Sequence, residues 1–450
     1  MVKTVAARGG WSKDGTGTFY GTTEDYGPAG WSCHFFGCGS VFVITPEGGL
    51  TTLYAFCGPQ GYPPCKTGEG PGAGLVLATD GNFYGTTEWG GGGNRGEVFR
   101  ITPNGSLVRL AFNEEDGLNP ASPLVQGADG DLYGTTGGTS AGSVFKVSPP
   151  GVLTVLYSFC SLPNCADGSG PAGLVQATDG NFYGTTQSGG TGANCTPLGC
   201  GTIFKITPRG VFTTLYSFCS QPNCADGIFP TAPLVQATDG NLYGTTSSTA
   251  FRFTLPSELT TLYTFCSQPN CADGNDANGL VQATDGNFYG TTQAGGNQAC
   301  GIPPEYDCGT IFELTPAGTL TTVHSFDGTD GWEPRTGVLQ ATNGTFYGTT
   351  EFGGGCVGGG CGTIFSLSTG LGPFVAFVQK AGKVRQTAEI LGQGFTGTTS
   401  VSFNGVSAKF TVQSDTYLTA KVPAGATTGY VAVTTPSGVL KSNVPFQVIR

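Results

Sequence analysis

Residues 174–186 read LVQATDGNFYGTT, residues 201–210 read GTIFKITPRG and residues 211–218 read VFTTLYSF. Apolar residues alternate with threonines and polar residues, as strands do. Asp179-Gly180 and Pro208-Arg209-Gly210 break the stretch where a chain reverses. The reading is four antiparallel strands: A at Leu174–Thr178, B at Asn181–Thr186, C at Thr202–Thr207 and D at Val211–Phe218. Asp-Gly between A and B suits a two-residue type I′ hairpin.

The same pattern runs along most of the chain. YGTT occurs at Tyr20, Tyr84, Tyr133, Tyr183, Tyr243, Tyr289 and Tyr347, at spacings of 64, 49, 50, 60, 46 and 58 residues. A four-stranded unit of this length cannot bury both faces alone, and units that pack in a ring make a propeller. The sequence therefore predicts an all-β chain: a seven-bladed β-propeller over 1–371 and a smaller module over 372–450. The turn recurs as Asp80-Gly81, Asp129-Gly130, Asp239-Gly240, Asp285-Gly286 and Asn343-Gly344, and its acids are read as turn formers. The last unit lacks an evident strand D after Gly362–Leu367. Val2–Ala7 is the expected donor and Phe374–Val378 the alternative, since an unpaired outer strand invites aggregation.

LVQATDGNFYGTT followed by GTIFKITP and TTLYSF resembles the GloVer-type repeat of large exported bacterial proteins, over about residues 10–370. The resemblance implies a propeller-like array outside the cell or on its surface and supplies no catalytic residues. Residues 372–450 hold short alternating strands with turns at Gly392–Gly394, Asn404-Gly405, Pro423–Gly425 and Pro436–Gly438, the pattern of a β-sandwich. They resemble the IPT/TIG immunoglobulin-like family, which implies a spacer or adhesive role.

Composition agrees. Of 450 residues 78 are Gly and 38% are hydrophobic, and net charge is −11. No apolar run is long enough for a transmembrane helix, and no signal segment opens the chain. Residues 1–371 carry 12 Lys+Arg against 28 Asp+Glu, and residues 372–450 carry 7 against 2. An acidic body argues against nucleic acid. Its basic tail permits head-to-tail attraction between copies.

Sixteen cysteines fall into eight local pairs: Cys33/Cys38, Cys57/Cys65, Cys160/Cys165, Cys195/Cys200, Cys219/Cys224, Cys266/Cys271, Cys300/Cys308 and Cys356/Cys361. Even number and short spacing read as disulfides of an oxidising compartment. A zinc site would need convergent His or further Cys, and the only histidines are His34 and His324.

Every cysteine pair lies between strands B and C or between strand D and the next strand A. In an up-down-up-down unit these loops share one face. That face also holds Trp31, Trp89 and Trp332, and Tyr26, Tyr62 and Tyr306, with DG dipeptides at Asp116, Asp167, Asp226, Asp273 and Asp330. Loops on a rigid scaffold commonly carry binding, and aromatics beside carboxylates suit sugars or protein hot spots. The alternative is that the acids turn the loops and the aromatics pack over the disulfides. No cofactor is expected; carboxylates around a ring leave calcium open, though no D-x-D-x-D-G loop occurs. G-x-S-x-G, H-E-x-x-H and P-loop motifs are absent, and each His sits where packing explains it. A non-enzymatic protein of the bacterial surface or exterior is expected. Its partner is a glycan or a surface protein, or, alternatively, further copies in a filament; a carbohydrate-active enzyme is the remote alternative.

Overall fold

The computed structural model of the chain describes residues 12–13, 18–24, 38–45, 49–57, 68–91, 93–112, 118–120, 122–137, 141–148, 151–192, 199–296, 308–353 and 362–449. Each YGTT run is a strand in its own antiparallel sheet, and seven such sheets follow one another along the chain. In the fourth the strands are Ser169–Gln176, Phe182–Ser188, Thr202–Ile206 and Phe212–Ser217. Strand A is shorter elsewhere, only Val76–Leu77, Val125–Gln126 and Val235–Gln236 in the second, third and fifth sheets.

The A–B turn differs from the expected type I′ form. Gly180 N–H bonds to Ala177 C=O at 2.9 Å, and Ala177 N–H bonds to Asn181 C=O at 2.9 Å. Only the glycine takes a positive φ, 82°. The turn is therefore a type I turn closed by a left-handed Gly. Ala and Thr belong to the turn, which is why strand A stops at Gln.

Each letter of the motif has a contact. The YGTT tyrosine lies against the residue before the next tyrosine: Tyr133 on Phe182 and Tyr20 on Phe83 at 4.0 Å, Tyr243 on Phe288 at 4.2 Å, Tyr289 on Phe346 at 4.3 Å. Leucine takes the phenylalanine's place at Leu132 and Leu242, in the clusters of Tyr84 and Tyr183. The buried hydroxyl needs an acceptor, and the turn aspartate supplies it, Tyr183 Oη to Asp179 Oδ2 at 2.8 Å and Tyr133 Oη to Asp129 Oδ2 at 2.7 Å. Burial and this bond push Tyr84 and Tyr243 up to about 12. The Asp residues are thus turn formers and hydroxyl acceptors together.

The glycine of YGTT faces the strand C phenylalanine, Gly184 opposite Phe204 and Gly244 opposite Phe251. A Cβ on Gly244 would stand 2.7 Å from both Phe251 Cζ and Leu234 Cδ2. The first threonine crosses to the next sheet: Thr22 Oγ1 donates to Ala73 C=O at 2.8 Å and Thr291 Oγ1 to Thr336 C=O at 2.7 Å. The second stays within its sheet, Thr186 Oγ1 meeting Thr202 Oγ1 at 2.8 Å. In the second sheet the strand C partner is Glu97, buried, with Arg109 at 3.6 Å. Burial pushes its pKa up despite the arginine.

A belt of glutamines ties the turns together. Gln126, Gln176, Gln236, Gln282 and Gln340 each accept an N–H from the preceding sheet's turn, at 2.8–3.2 Å. The first four also donate to their own turn's glycine carbonyl.

Phe19 of the first sheet meets Tyr347 of the last at 5.2 Å, the same contact that joins consecutive sheets. Val2–Ala7 lies outside the described residues. The alternative strand donor, Phe374–Val378, is engaged elsewhere: Ala376–Phe377 pairs with Thr387–Leu391, and Val375 N–H bonds to Lys441 C=O. Among the described residues the seventh sheet has three strands.

After Leu367 the chain forms two further four-stranded sheets and a short parallel pair, Ala381–Lys383 with Gln447–Ile449. The two sheets share one core, in which Ile390 and Leu418 from one pack with Val401, Phe403, Val431 and Val433 from the other. This tail sits on the A–B turn face of its own chain. Gln379 Nε2 donates to Gln126 Oε1 at 2.9 Å, Gln447 Nε2 to Thr178 C=O at 2.9 Å and Gln393 Nε2 to Thr342 Oγ1 at 3.0 Å. No ion pair between described residues joins tail to body.

Two outcomes follow. Gly244→Ala forces overpacking, with an expected loss of about 1–3 kcal/mol in a denaturant melt; unchanged stability would refute the close approach. Neutral amides are insensitive to charge screening, so the tail's protection against hydrogen exchange should be the same at low salt and in molar salt.

Candidate functional site

Antiparallel order places the B–C and D–A loops on the face opposite the tail. Three D–A loops share one structure, Cys160–Gly168, Cys219–Gly227 and Cys266–Gly274. Each carries a local disulfide, Cys160–Cys165, Cys219–Cys224 and Cys266–Cys271. Each turns at Pro-Asn-Cys with Asn164, Asn223 and Asn270 left-handed at φ 56–57°, a region Asn tolerates. Cys38, Cys57, Cys200 and Cys308 are also disulfide-bonded, and Cys33, Cys65, Cys195, Cys300, Cys356 and Cys361 lie outside the described residues. The sulfurs of Cys200, Cys219 and Cys224 lie within 4.8 Å of one another, and all three are oxidised.

The DG aspartates of these loops face inward. Asp167 Oδ2 accepts from Tyr157 Oη at 2.7 Å and from the N–H and hydroxyl of Ser161 at 2.9 Å, and Oδ1 from Leu162 N–H at 3.3 Å. Asp226 and Asp273 repeat the arrangement. All three are fully buried. Their carboxylates are committed to their own loops and offer a ligand no free edge. For Asp167 and Asp273 burial alone would raise the pKa, but the hydroxyl and backbone donors outweigh it and hold the carboxyl below its ordinary value. The loop before the seventh sheet has no cysteines. There His324 stands in the tyrosine's place, its Nε2 2.6 Å from Asp330 Oδ2. Asp330 is half-buried, so His324 is the partner of a loop aspartate, beyond simple packing.

The tryptophans divide. Trp332 stacks on Phe352 at 4.4 Å, while Trp89 is 41% exposed. Trp31, Tyr26, Tyr62, Tyr306 and Asp116 lie outside the described residues, as does His34.

Trp89 exchanges two backbone hydrogen bonds with Glu69, which is buried, at 2.8 and 3.0 Å. Its indole borders the small-residue strip Gly70-Pro71-Gly72: a Cβ on Gly70 would lie 3.4 Å from Trp89 Cδ1 and 3.9 Å from Glu24 Cγ. A Cβ on Gly72 would lie 3.5 Å from Glu88 Oε1 and 3.9 Å from Glu24 Oε2. One indole and two carboxylates therefore flank this strip, of which Gly70 and Pro71 are buried and Gly72 is half-buried. Glu24 and Glu88 went unnoticed in the sequence. The signal was the residue after each YGTT: Glu24, Glu88, Gly137, Gln187, Ser247, Gln293 and Glu351. The acids fall in the first, second and last sheets, consecutive once Phe19 meets Tyr347. Glu351 is paired with Arg335, which also reaches Glu333 at 3.0 Å.

An indole face stacks on the C–H face of a sugar ring, and carboxylates accept from its hydroxyls.

The loop aspartates carry an acid signature. Asp273 adds stability above its ordinary 3.8 that is lost as pH falls through its lower folded value. Asp273→Asn should cost about 1–3 kcal/mol at neutral pH and flatten stability against pH below 4. Parallel curves for variant and parent would show the carboxylate to be idle.

Comparison with curated proteins finds no match. Among solved structures, the extracellular domain of a protein described as a hybrid two-component system from B. thetaiotaomicron aligns over 100% of this chain and 56% of its own, with TM-score 0.52 and 10% identity. A Lactobacillus plantarum protein aligns over 92% and 98% respectively, TM-score 0.49, 15% identity. A Xanthomonas campestris gluconolactonase aligns over 57% and 76%, TM-score 0.36, 15% identity. No helix among the described residues is long and apolar enough to cross a membrane. Residues 8–250 and 247–406 match the Gloeobacter/Verrucomicrobia repeat, and the chain belongs to that family.

Proposed function

We propose that the chain is a non-enzymatic binding protein of the bacterial exterior, a seven-bladed β-propeller over 1–371 with an IPT/TIG-like immunoglobulin domain over 372–450. Its loop face holds a glycan. The observation that supports this most is Trp89, exposed beside the strip Gly70-Pro71-Gly72 with Glu24 and Glu88 at its edges. The indole is the platform, and the two carboxylates take hydroxyl hydrogens. Gly70 N–H donates to the carbonyl of disulfide-bonded Cys38 at 3.1 Å, which anchors the strip before any ligand arrives and lowers the entropy lost on binding. Disulfides also accord with an oxidising compartment.

The filament reading is less favoured. It needs the basic tail of one molecule on the acidic body of the next, and the tail here is seated on its own chain through amides.

A glycan array probed with the non-reduced protein tests the glycan reading. Retained glycans should be bound at least tenfold more weakly by Trp89→Ala, and more weakly by Glu88→Gln, with melting curves unchanged. Glycan binding that Trp89→Ala leaves intact, or an array with no bound glycan, overturns the reading.

A further inference from the structure

The face that carries the tail encloses a second feature. A cavity of about 510 Å³ lies where the tail meets the A strands of the second to fifth sheets. That volume falls in the range of small-molecule sites, roughly 300–1,000 Å³. Leu124, Leu174 and Leu234 form apolar wall on the body side. The amides of Gln126 and Gln176 belong to the turn belt, and the tail adds Gln379, Gln386 and Gln447.

The tail also brings charge. Lys380 and Lys383 both line the cavity, and the acid among the lining residues is Asp129. Asp129 is already engaged, accepting from Tyr133 Oη at 2.7 Å and from Asp131 N–H at 3.2 Å. Lys380 Nζ makes no hydrogen bond or ion pair with a described residue. Lys380 is exposed, and the protein around it disfavours the ammonium and lowers its pKa. Its backbone is held firmly: Gln447 N–H donates to Lys380 C=O at 2.7 Å, and the same Gln447 reaches Thr178 of the body through its side chain. Lys380 lines the cavity without a carboxylate partner among the described residues, and the segment that carries it is clamped to the cavity's rim.

We infer that this cavity is a binding site for a small hydroxylated carboxylate, with Lys380 taking the carboxylate, the glutamine amides the hydroxyls and the leucine wall the apolar face. A carboxylate supplies the countercharge that the described residues do not. Glutamine amides donate and accept, as hydroxyls require. A neutral sugar or a hydrophobe would leave the ammonium without a countercharge. The site is separate from the Trp89 strip, which lies on the opposite face, so neither depends on the other.

Isothermal titration of the full chain with D-glucuronate, D-galacturonate and D-glucose tests this. At least one uronate should bind and glucose should bind at least tenfold more weakly. Lys380→Met, which keeps the aliphatic stem, should abolish uronate binding while its melting temperature holds. Lys380→Arg should retain binding. Failure of both uronates to bind, equal binding of glucose, or full uronate binding by Lys380→Met would each overturn the inference. Trp89→Ala should leave uronate binding untouched, and its loss there would place the ligand on the other face.

Discussion

A tyrosine hydroxyl buried between two sheets has to find an acceptor, and much of the array is arranged around that requirement. Tyr183 cannot stack between Phe182's sheet and the next without losing its water. Asp179, four residues earlier, restores the lost bond. That places an acid at the A–B turn, which fixes the turn type, which ends strand A at Gln176. Gln176 is then free to accept from the previous turn at Ala128. Stack, turn and belt are successive consequences of one buried O–H group.

The same economy appears in the loops. Tyr157, Tyr216 and Tyr263 each hand a hydroxyl to an aspartate ten residues on, and that aspartate gathers the serine of a disulfide loop. Tyrosine and aspartate thus close both ends of the unit, one pair at the turn face and one at the loop face. Where the cysteines drop out, before the seventh sheet, His324 and Asp330 keep the geometry with a different donor.

Much of the fold is legible because repetition multiplies a weak signal: seven copies of YGTT identify strand B. The turn type is not legible in the sequence, because Asp-Gly is compatible with two turn types and the choice depends on Tyr183, whose hydroxyl Asp179 accepts. The DG aspartates were read as possible ligands because a sequence does not say which way a carboxylate faces. Glu24 and Glu88 escape the repeat pattern because the residue after YGTT varies from unit to unit. The tail's seat was out of reach for another reason. Its contacts run between residues up to 269 positions apart, Gln447 to Thr178, and a lone glutamine has no pattern.

Three repeated contacts between sheets run one way: tyrosine to the following phenylalanine, threonine hydroxyl to the following loop, turn N–H to the following glutamine. The contact of Phe19 with Tyr347 follows the same rule across the chain's ends. The ring thus has a sense of rotation but no privileged origin, and the point at which the polypeptide starts is, for these bonds, arbitrary. A chain that entered the ring at another sheet would keep these three contacts.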